Sequence, residues 1–338
     1  MASFHYPARL SLARLPTPFH PLDRLSDKLG GPRIWVKRDD LSECAISGNK
    51  IRKLEFTLAR ALEQGSDTLI TCGGAQSNHC RATALLGARL GLKVHLILRR
   101  ERSDDAPLNS TPDGNLFLDY LAGANITLYD KNEYQRNLPG LFNHWSDYYR
   151  KRGAKPYAIP TGASDGTGVW GYIACVAELL EDFKQANIKP VSIVHATGSG
   201  GTQAGLSVGV ALHQLNARVT GLAVCDNERY FVNKVRDDIA LWRERYDVVL
   251  DQARVHIQVD DRFIGPGYGR AGDEVFATIS DVAALEGLLL DPVYTGKAFY
   301  GMVEKIRAGE FDGESDLVFI HTGGIFGLMA QRDFVSIA

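Results

Sequence analysis

Segments with strand patterns and segments with helix patterns alternate along nearly the whole chain, and this alternation restricts the fold more than any other feature. Short apolar runs predict strands at residues 34–37, 68–72, 93–98, 126–129, 157–159, 191–195, 219–225, 254–259 and 317–320. Apolar residues spaced three and four apart predict helices at residues 49–64, 77–90, 115–121, 141–152, 169–185, 202–214, 230–246, 281–289 and 296–308. Repeated strand–helix–strand units form parallel sheets with helices on both faces. The sequence therefore predicts an α/β fold with open, twisted, mostly parallel sheets.

Size and charge narrow the range of partners. The chain has 338 residues, a length typical of about two domains. Its formal net charge of −2 provides no general attraction to nucleic acid or to an anionic membrane surface. The longest nearly apolar run, residues 204–212, is too short to span a membrane. We therefore expect a small-molecule substrate, with neither nucleic acid nor a membrane as partner.

The cysteines and histidines argue against disulfides and metal sites. Five cysteines is an odd number, and no two have the C-x-x-C spacing of redox and zinc motifs. The nine histidines include no H-E-x-x-H or similar metal-binding spacing. We therefore predict no metal ion and a reducing, cytoplasmic location.

Lys50 is the first candidate for chemistry because it falls at the start of a predicted helix. The positive end of the helix dipole disfavours a cation there, and a neutral amine is the form that makes a Schiff base. A solvent-exposed lysine is the alternative, and for a lysine taken at random it is the commoner case. The position of Lys50 does not by itself decide between the two.

A glycine-rich turn at residues 197–202 lies between a predicted strand and a predicted helix. Backbone amides in such a turn, together with the helix N-terminus, favour a bound phosphate. The turn lacks the Walker A lysine, and Gln203 stands where a G-x-G-x-x-G motif has its third glycine. Asp226, at the end of the next predicted strand, is still similar to the acidic residue of a dinucleotide site. Phosphate binding, nicotinamide binding and a plain tight turn therefore stay open.

Two further loops carry polar side chains at strand ends, where α/β proteins place ligands. Residues 73–79 include Ser77 and Asn78, and residues 321–324 follow the last predicted strand. Ser77 is also a suitable helix N-cap, so its presence alone does not require a ligand.

Two tyrosines and two charged segments complete the candidates. Tyr268 and Tyr294 lie in loops rich in glycine and proline, where a phenol either packs at a rim or acts as an acid. The charged segments 99–102 and 236–238 are interpreted as solvent-exposed.

Five segments in the correct order resemble one family of pyridoxal-phosphate enzymes, and together they are far more specific than any one alone. They are residues 37–40 (Lys-Arg-Asp-Asp), 48–55 (Gly-Asn-Lys-Ile-Arg-Lys-Leu-Glu), 76–79 (Gln-Ser-Asn-His), 291–294 (Asp-Pro-Val-Tyr) and 321–324 (His-Thr-Gly-Gly). The chain resembles the D-cysteine desulfhydrase / 1-aminocyclopropane-1-carboxylate (ACC) deaminase family, which has the tryptophan-synthase-β-like fold, fold type II of these enzymes. The resemblance implies two sheets, a large domain of residues 1–50 and 161–338, a small domain of residues 51–160, and a homodimer.

The resemblance also implies roles for the candidate residues. Lys50 would bind pyridoxal phosphate through its amine, and Asn78 would bond to the ring hydroxyl. Ser77, Tyr268 and Tyr294 would act with Lys50 on an amino-acid substrate. The other cofactor contacts would be Lys53, Thr197, Gly198, Ser199, Gly200, Gly201, Thr202, Thr295 and Thr322.

Thr295 and Thr322 favour one branch of the family. ACC deaminases usually have glutamate and leucine at these positions, and the desulfhydrases have threonine. A neutral hydroxyl near the ring nitrogen gives a weaker electron sink, which suits loss of a thiolate better than ring opening. We therefore expect β-elimination from D-cysteine to pyruvate, hydrogen sulfide and ammonia.

Several alternatives stay open. Two alternatives belong to the same family: ACC deaminase and L-cysteate sulfo-lyase. In the second, Arg229 would be the cation that stabilises the acidic leaving group. A nicotinamide-dependent oxidoreductase and a non-catalytic binding protein are more remote.

Overall fold

A computed structural model of the chain describes residues 4–100 and 111–335. Their strands form two sheets with flanking helices. The larger sheet has the spatial order β1 (Phe19–Pro21), β2 (Arg33–Lys37), β10 (Asp316–Ile320), β7 (Ser192–Thr197), β8 (Arg218–Ala223) and β9 (Gln258–Asp260). The smaller sheet has the order β5 (Asn125–Tyr129), β4 (Lys93–Arg99), β3 (Thr68–Gly74) and β6 (Pro156–Ala158). The prediction of an α/β fold with two mostly parallel sheets is confirmed.

Helices connect these strands along the described residues. They are α1 (Asp23–Leu29), α2 (Asn49–Glu63), α3 (Asn78–Arg89), α4 (Gly114–Leu121), α5 (Lys131–Arg150), α6 (Trp170–Ala186), α7 (Gly201–Leu212), α8 (Glu228–Arg245), α9 (Asp273–Glu286), α10 (Thr295–Arg307) and α11 (Ile325–Met329). Within residues 4–100 and 111–335, none of the helices has both the length and the apolar character that crossing a membrane requires.

The larger sheet is covered on both faces, as the alternation of its side chains shows. In β2, Ile34 and Val36 pack into the core formed with α9 and α10, whereas Trp35 packs on the opposite face against α6 and α7. This change of face at each residue is the period of two expected of a strand. The smaller sheet is likewise buried between α2 and α3 on one face and α5 on the other.

Parallel pairing brings the ends of successive strands to the same edge of each sheet. Apart from β1, which pairs antiparallel with β2, the paired strands run parallel. The polar loop after β3, the glycine-rich turn after β7 and the loop after β10 therefore follow carboxyl ends, where open α/β sheets bind ligands.

Several boundaries differ from the sequence prediction. The short elements β1 and α1 were missed, because three or seven residues carry too little periodicity. Helix α5 begins ten residues before the predicted 141, with Asn137 out of helical geometry (φ −130°) two residues before Pro139. The strand predicted at 254–259 is observed only at Gln258–Asp260, after a 3₁₀ turn.

Candidate active site

A cavity of about 480 Å³ lies between the ends of β3 and β7, so both sheets contribute to its wall. Most of the residues selected from the sequence line it: Lys50, Ser77, Asn78, Thr197, Gly198, Ser199, Gly200, Thr202, Tyr268, Tyr294 and Thr322. Lys53, Gly201 and Thr295 are not part of this lining.

The start of α2 is held against the loop that follows β10. Asn49 donates its backbone N–H to the carbonyl oxygen of Thr322 at 3.1 Å. Gly48 has φ +104°, and a Cβ there would lie only 2.7 Å from the same oxygen. Glycine is therefore required immediately before the helix that carries Lys50.

A buried network of ion pairs and hydrogen bonds also holds α2 in place. Arg52 donates to both carboxylate oxygens of Asp39, at 2.8 and 2.9 Å, and to Glu178 at 2.7 Å. Tyr172 donates to Asp39 at 2.5 Å. Asp39 and Arg52 are fully buried, and the pairing supplies the partners that buried charges need. The Lys-Arg-Asp-Asp segment thus braces α2.

The amine of Lys50 is held in a partly protonated state. Its Nζ donates to Asn49 Oδ1 at 2.9 Å and lies 6.0 Å from the centre of the Tyr294 ring. Burial and the positive charge of Arg81 together lower the pKa of Lys50 to about 8, against the opposing influence of Asp291. A substantial fraction of the amine is therefore neutral near pH 8, and a neutral amine is the nucleophilic form.

The glycine-rich turn after β7 is arranged around Ser164. Ser164 Oγ donates to Ser199 Oγ at 2.8 Å and accepts from the backbone N–H of Gly201 at 3.2 Å. Lys53 Nζ donates to the same oxygen at 3.4 Å. Burial and the positive charge of Lys50 hold the pKa of Lys53 well below its usual range. Gly200 has φ +85°, the left-handed geometry that lets such a turn close.

Lys234 adds a cation beside this turn that the sequence did not suggest. It lines the cavity, donates to the Ser164 carbonyl oxygen at 3.2 Å and pairs with Asp238. Asp238 is fully buried, so the interpretation of 236–238 as solvent-exposed was wrong for this residue. The spacing of four between Lys234 and Asp238 on α8 was the available signal.

Arg99, at the end of β4, was also misjudged as solvent-exposed. It lines the cavity, with its guanidinium carbon 4.9 Å from the centre of the Tyr268 ring. Its place at the carboxyl end of a parallel strand was the signal that pointed to a ligand site. Glu101 and Arg102, the rest of that charged segment after Arg100, lie outside the described residues. Arg229, expected to stabilise an acidic leaving group, is exposed and not part of the lining.

The two tyrosines face each other in the cavity. Their hydroxyl oxygens, on Tyr268 and Tyr294, are 2.5 Å apart. Burial holds the pKa of Tyr294 well above its usual range, and the neighbouring Tyr268 raises it further. Tyr294 is therefore a phenol that keeps its proton across the physiological pH range.

Ser77 and Thr295 have well-defined local roles. Ser77 Oγ accepts from the backbone N–H of Cys80 at 3.3 Å, so Ser77 is the N-cap of α3 while it also lines the cavity. Thr295 is fully buried, and its hydroxyl donates to Asp291 at 2.8 Å. Of the two threonines expected near the ring nitrogen, only Thr322 lines the cavity.

The lining fits pyridoxal phosphate. Asn78 Oδ1 and Thr197 Oγ1 are buried and have no hydrogen-bond partner within the described parts of the chain. Buried polar atoms without partners are costly, and a polar ligand would satisfy them. The glycine-rich turn and the ammonium of Lys234 suit a phosphate, while Lys50 suits an aldehyde. No group of three or more potential metal ligands occurs within residues 4–100 and 111–335.

Comparison with known proteins agrees with this geometry. The family described as "Pyridoxal-phosphate dependent enzyme" matches residues 10–323. A Thermotoga maritima protein named "Putative 1-aminocyclopropane-1-carboxylate deaminase" is 45% identical, over 96% of this chain and 98% of its own. An Arabidopsis thaliana protein named "Bifunctional D-cysteine desulfhydrase/1-aminocyclopropane-1-carboxylate deaminase, mitochondrial" is 41% identical, over 96% and 80%.

A solved structure described as an ACC deaminase homologue superposes on this one with a TM-score of 0.87. It shares 36% sequence identity, with 98% of this chain and 95% of that chain covered. The resemblance inferred from the five segments is thus confirmed, as is the predicted cofactor, and the nicotinamide alternative is not supported. The chain belongs to the family of pyridoxal-phosphate-dependent enzymes.

Proposed function

We propose that this enzyme is a carbon–sulfur lyase that converts D-cysteine and water to pyruvate, hydrogen sulfide and ammonia. The observation that carries the proposal is the hydroxyl pair of Tyr268 and Tyr294, 2.5 Å apart in the cavity that Lys50 lines. β-Elimination needs a base at the α-carbon and an acid at the leaving group, and these residues offer both. The name of the Arabidopsis relative includes the same reaction.

Lys50 is suited to remove the α-proton. Pyridoxal phosphate, when bound, supplies an electron sink that stabilises negative charge at the α-carbon of an amino acid. Once substrate binding frees its amine, Lys50 Nζ accepts the α-proton, which its pKa of about 8 permits near neutral pH. Asn49 Oδ1, 2.9 Å from Nζ, orients the amine.

Tyr294 is suited to protonate the leaving sulfur. Because its pKa is raised, its hydroxyl carries a proton at physiological pH and donates it or a hydrogen bond to a departing thiolate. Tyr268, hydrogen-bonded to that hydroxyl, holds it in place. The elimination therefore leaves Lys50 with the α-proton and the sulfur with one from the tyrosine pair.

Arg99 supports a second candidate substrate, L-cysteate. Its guanidinium lines the cavity next to Tyr268, so a sulfonate leaving group near the tyrosines would meet a cation. Arg99, and not Arg229 as expected from the sequence, would be the cation that stabilises the acidic leaving group.

A substrate panel decides among these reactions. Purified holoenzyme is offered D-cysteine, L-cysteine, L-cysteate and ACC separately, and the oxo acid released is measured. Pyruvate with sulfide from D-cysteine supports the proposal. Pyruvate with sulfite from L-cysteate supports the second candidate, and 2-oxobutyrate from ACC shows that Thr322 and Thr295 do not exclude ring opening.

We also propose the domain limits, assembly and location inferred from the sequence. The strands of the smaller sheet fall between residues 68 and 158, which supports a small domain of residues 51–160 inserted in a large domain of residues 1–50 and 161–338. The five free cysteines support a reducing compartment such as the cytoplasm. A homodimer rests on the family resemblance, and sedimentation of the holoenzyme tests it.

A further inference from the structure

Lys297 is a buried lysine on α10, three residues after Tyr294. Its ammonium donates three hydrogen bonds to backbone carbonyl oxygens: to Val224 at 3.2 Å, Ile264 at 2.8 Å and Gly267 at 2.7 Å. Three acceptors use the full donor capacity of an ammonium group. Lys297 thus joins the start of α10, the end of β8 and the loop that leads to Tyr268.

The backbone of that loop is rich in glycine. Gly265, Gly267 and Gly269 have φ values of +64°, +112° and +75°, and a Cβ added to either of the first two would meet nothing within 4 Å. The active-site cavity lies on one side of Tyr268, and a second cavity of about 410 Å³ borders it on the other. Glycine-rich backbone with open space on two sides has low intrinsic rigidity.

We propose that Lys297 is a positioning residue that fixes Tyr268 against Tyr294. Because Lys297 and Tyr294 belong to one continuous stretch of backbone, the bond from Lys297 to the Gly267 carbonyl links that stretch to the residue before Tyr268. The functional consequence rests on the proposed role of the tyrosine pair in elimination. The mechanical consequence, an ordered loop, does not depend on the substrate.

The first test compares two lysines of the same helix. In Lys297→Met the three carbonyl bonds are lost, whereas in the matched control Lys305→Met the lost bonds go to the side chains of Asp260 and Glu310 and none goes to the backbone of residues 264–270. Amide hydrogen exchange is measured in both holoenzymes. We expect exchange across residues 264–270 to be about tenfold faster or more in Lys297→Met and unchanged in Lys305→Met. Unchanged exchange in Lys297→Met would overturn the proposal.

The second test asks whether Lys297 acts through Tyr268. In the presence of Tyr268, Lys297→Met should lower kcat by about 30-fold, and in the Tyr268→Phe background by no more than about threefold. An equal loss in both backgrounds would mean that Lys297 supports the fold and does not position Tyr268. Absence of turnover with D-cysteine in the unmodified enzyme would refute the proposed function alone, because the exchange comparison needs no substrate.

A measurement on the unmodified holoenzyme covers the case in which Lys297→Met does not fold. Burial lowers the pKa of Lys297 to about 8, against the opposing influence of Cys225, after β8, and Asp291, before α10. Above that pH the neutral amine has two N–H donors for three carbonyl oxygens. Exchange in residues 264–270, corrected for intrinsic rates, should rise between pH 7 and pH 9 more than in α10. A constant protection factor would contradict the proposal.

Discussion

Replacing Gly48 by alanine should lower the catalytic activity by more than the loss of folding stability accounts for. The residue has φ +104° and ψ −179°, a region that only glycine adopts readily. A Cβ would also lie 2.7 Å from the Thr322 carbonyl oxygen, which is backbone and cannot swing aside. Strain of about 1–3 kcal/mol and overpacking of about 1–3 kcal/mol give a loss of roughly 2–6 kcal/mol.

The expected loss of activity depends on which atoms move to relieve the strain at Gly48. The Thr322 oxygen accepts from the backbone N–H of Asn49, so opening the contact moves the first turn of α2 and Lys50 with it. Displacing a reactive group by about 1 Å typically costs on the order of 100-fold in rate. We therefore expect kcat/KM of Gly48→Ala to fall about 100-fold.

Gly91→Ala is the matched control. Gly91 also has a positive φ, +71°, but an added Cβ there meets nothing within 4 Å. It should lose only about 1–2 kcal/mol and keep its activity. Stability is measured by urea denaturation of both holoenzymes, and kcat/KM by pyruvate release. If the two variants lose equal stability and both stay active, the contact between Gly48 and Thr322 does not position Lys50.

Three further predictions concern the chemistry of the cavity. Tyr294→Phe should lower kcat about 10²–10⁴-fold, whereas Tyr300→Phe, on the helix that follows Tyr294 but outside the cavity, should change it less than about twofold; similar losses in both would contradict a proton-donor role. The rate at which cofactor-free protein binds pyridoxal phosphate should rise as pH increases through about 8, because the lowered pKa of Lys50 places its deprotonation there; a rise only near the ordinary lysine value of 10.5 would refute this. Arg99→Gln should reduce kcat/KM for L-cysteate more than for D-cysteine, and equal reductions would remove Arg99 from leaving-group recognition.

The strands, the helices and the turns between them could be predicted from the sequence, because short-range interactions determine them. The strand–turn–helix signals around residues 197–202 and 73–79 are short-range, and parallel pairing then brings both turns to the edges that border one cavity. Lys50 lines the same cavity. Its position at the start of α2, which made it a candidate in the sequence, also places it there. The five motif segments add a specificity that no single turn has.

Long-range contacts decide what the sequence could not. Asp238 belongs to a charged segment that is typical of a solvent-exposed helix face, yet it is completely buried and pairs with Lys234. Arg99 ends a strand in a charged run, and its contact with Tyr268, which comes from a loop distant in sequence, was not visible in that run. Thr295 follows Tyr294 directly, yet its hydroxyl turns to Asp291, an orientation set by helix-start geometry that sequence alone does not show.

The most direct test of the account is turnover of D-cysteine by the unmodified holoenzyme and by Lys50→Ala, with Lys93→Ala, an exposed lysine, as control. Pyruvate and sulfide are measured together with the visible absorption of the bound cofactor. For the unmodified enzyme and for Lys93→Ala, the account predicts that pyruvate and sulfide are released in equal amounts. For Lys50→Ala it predicts neither product and no visible absorption band. Undiminished product release by Lys50→Ala would contradict the central claim that Lys50 carries the reaction.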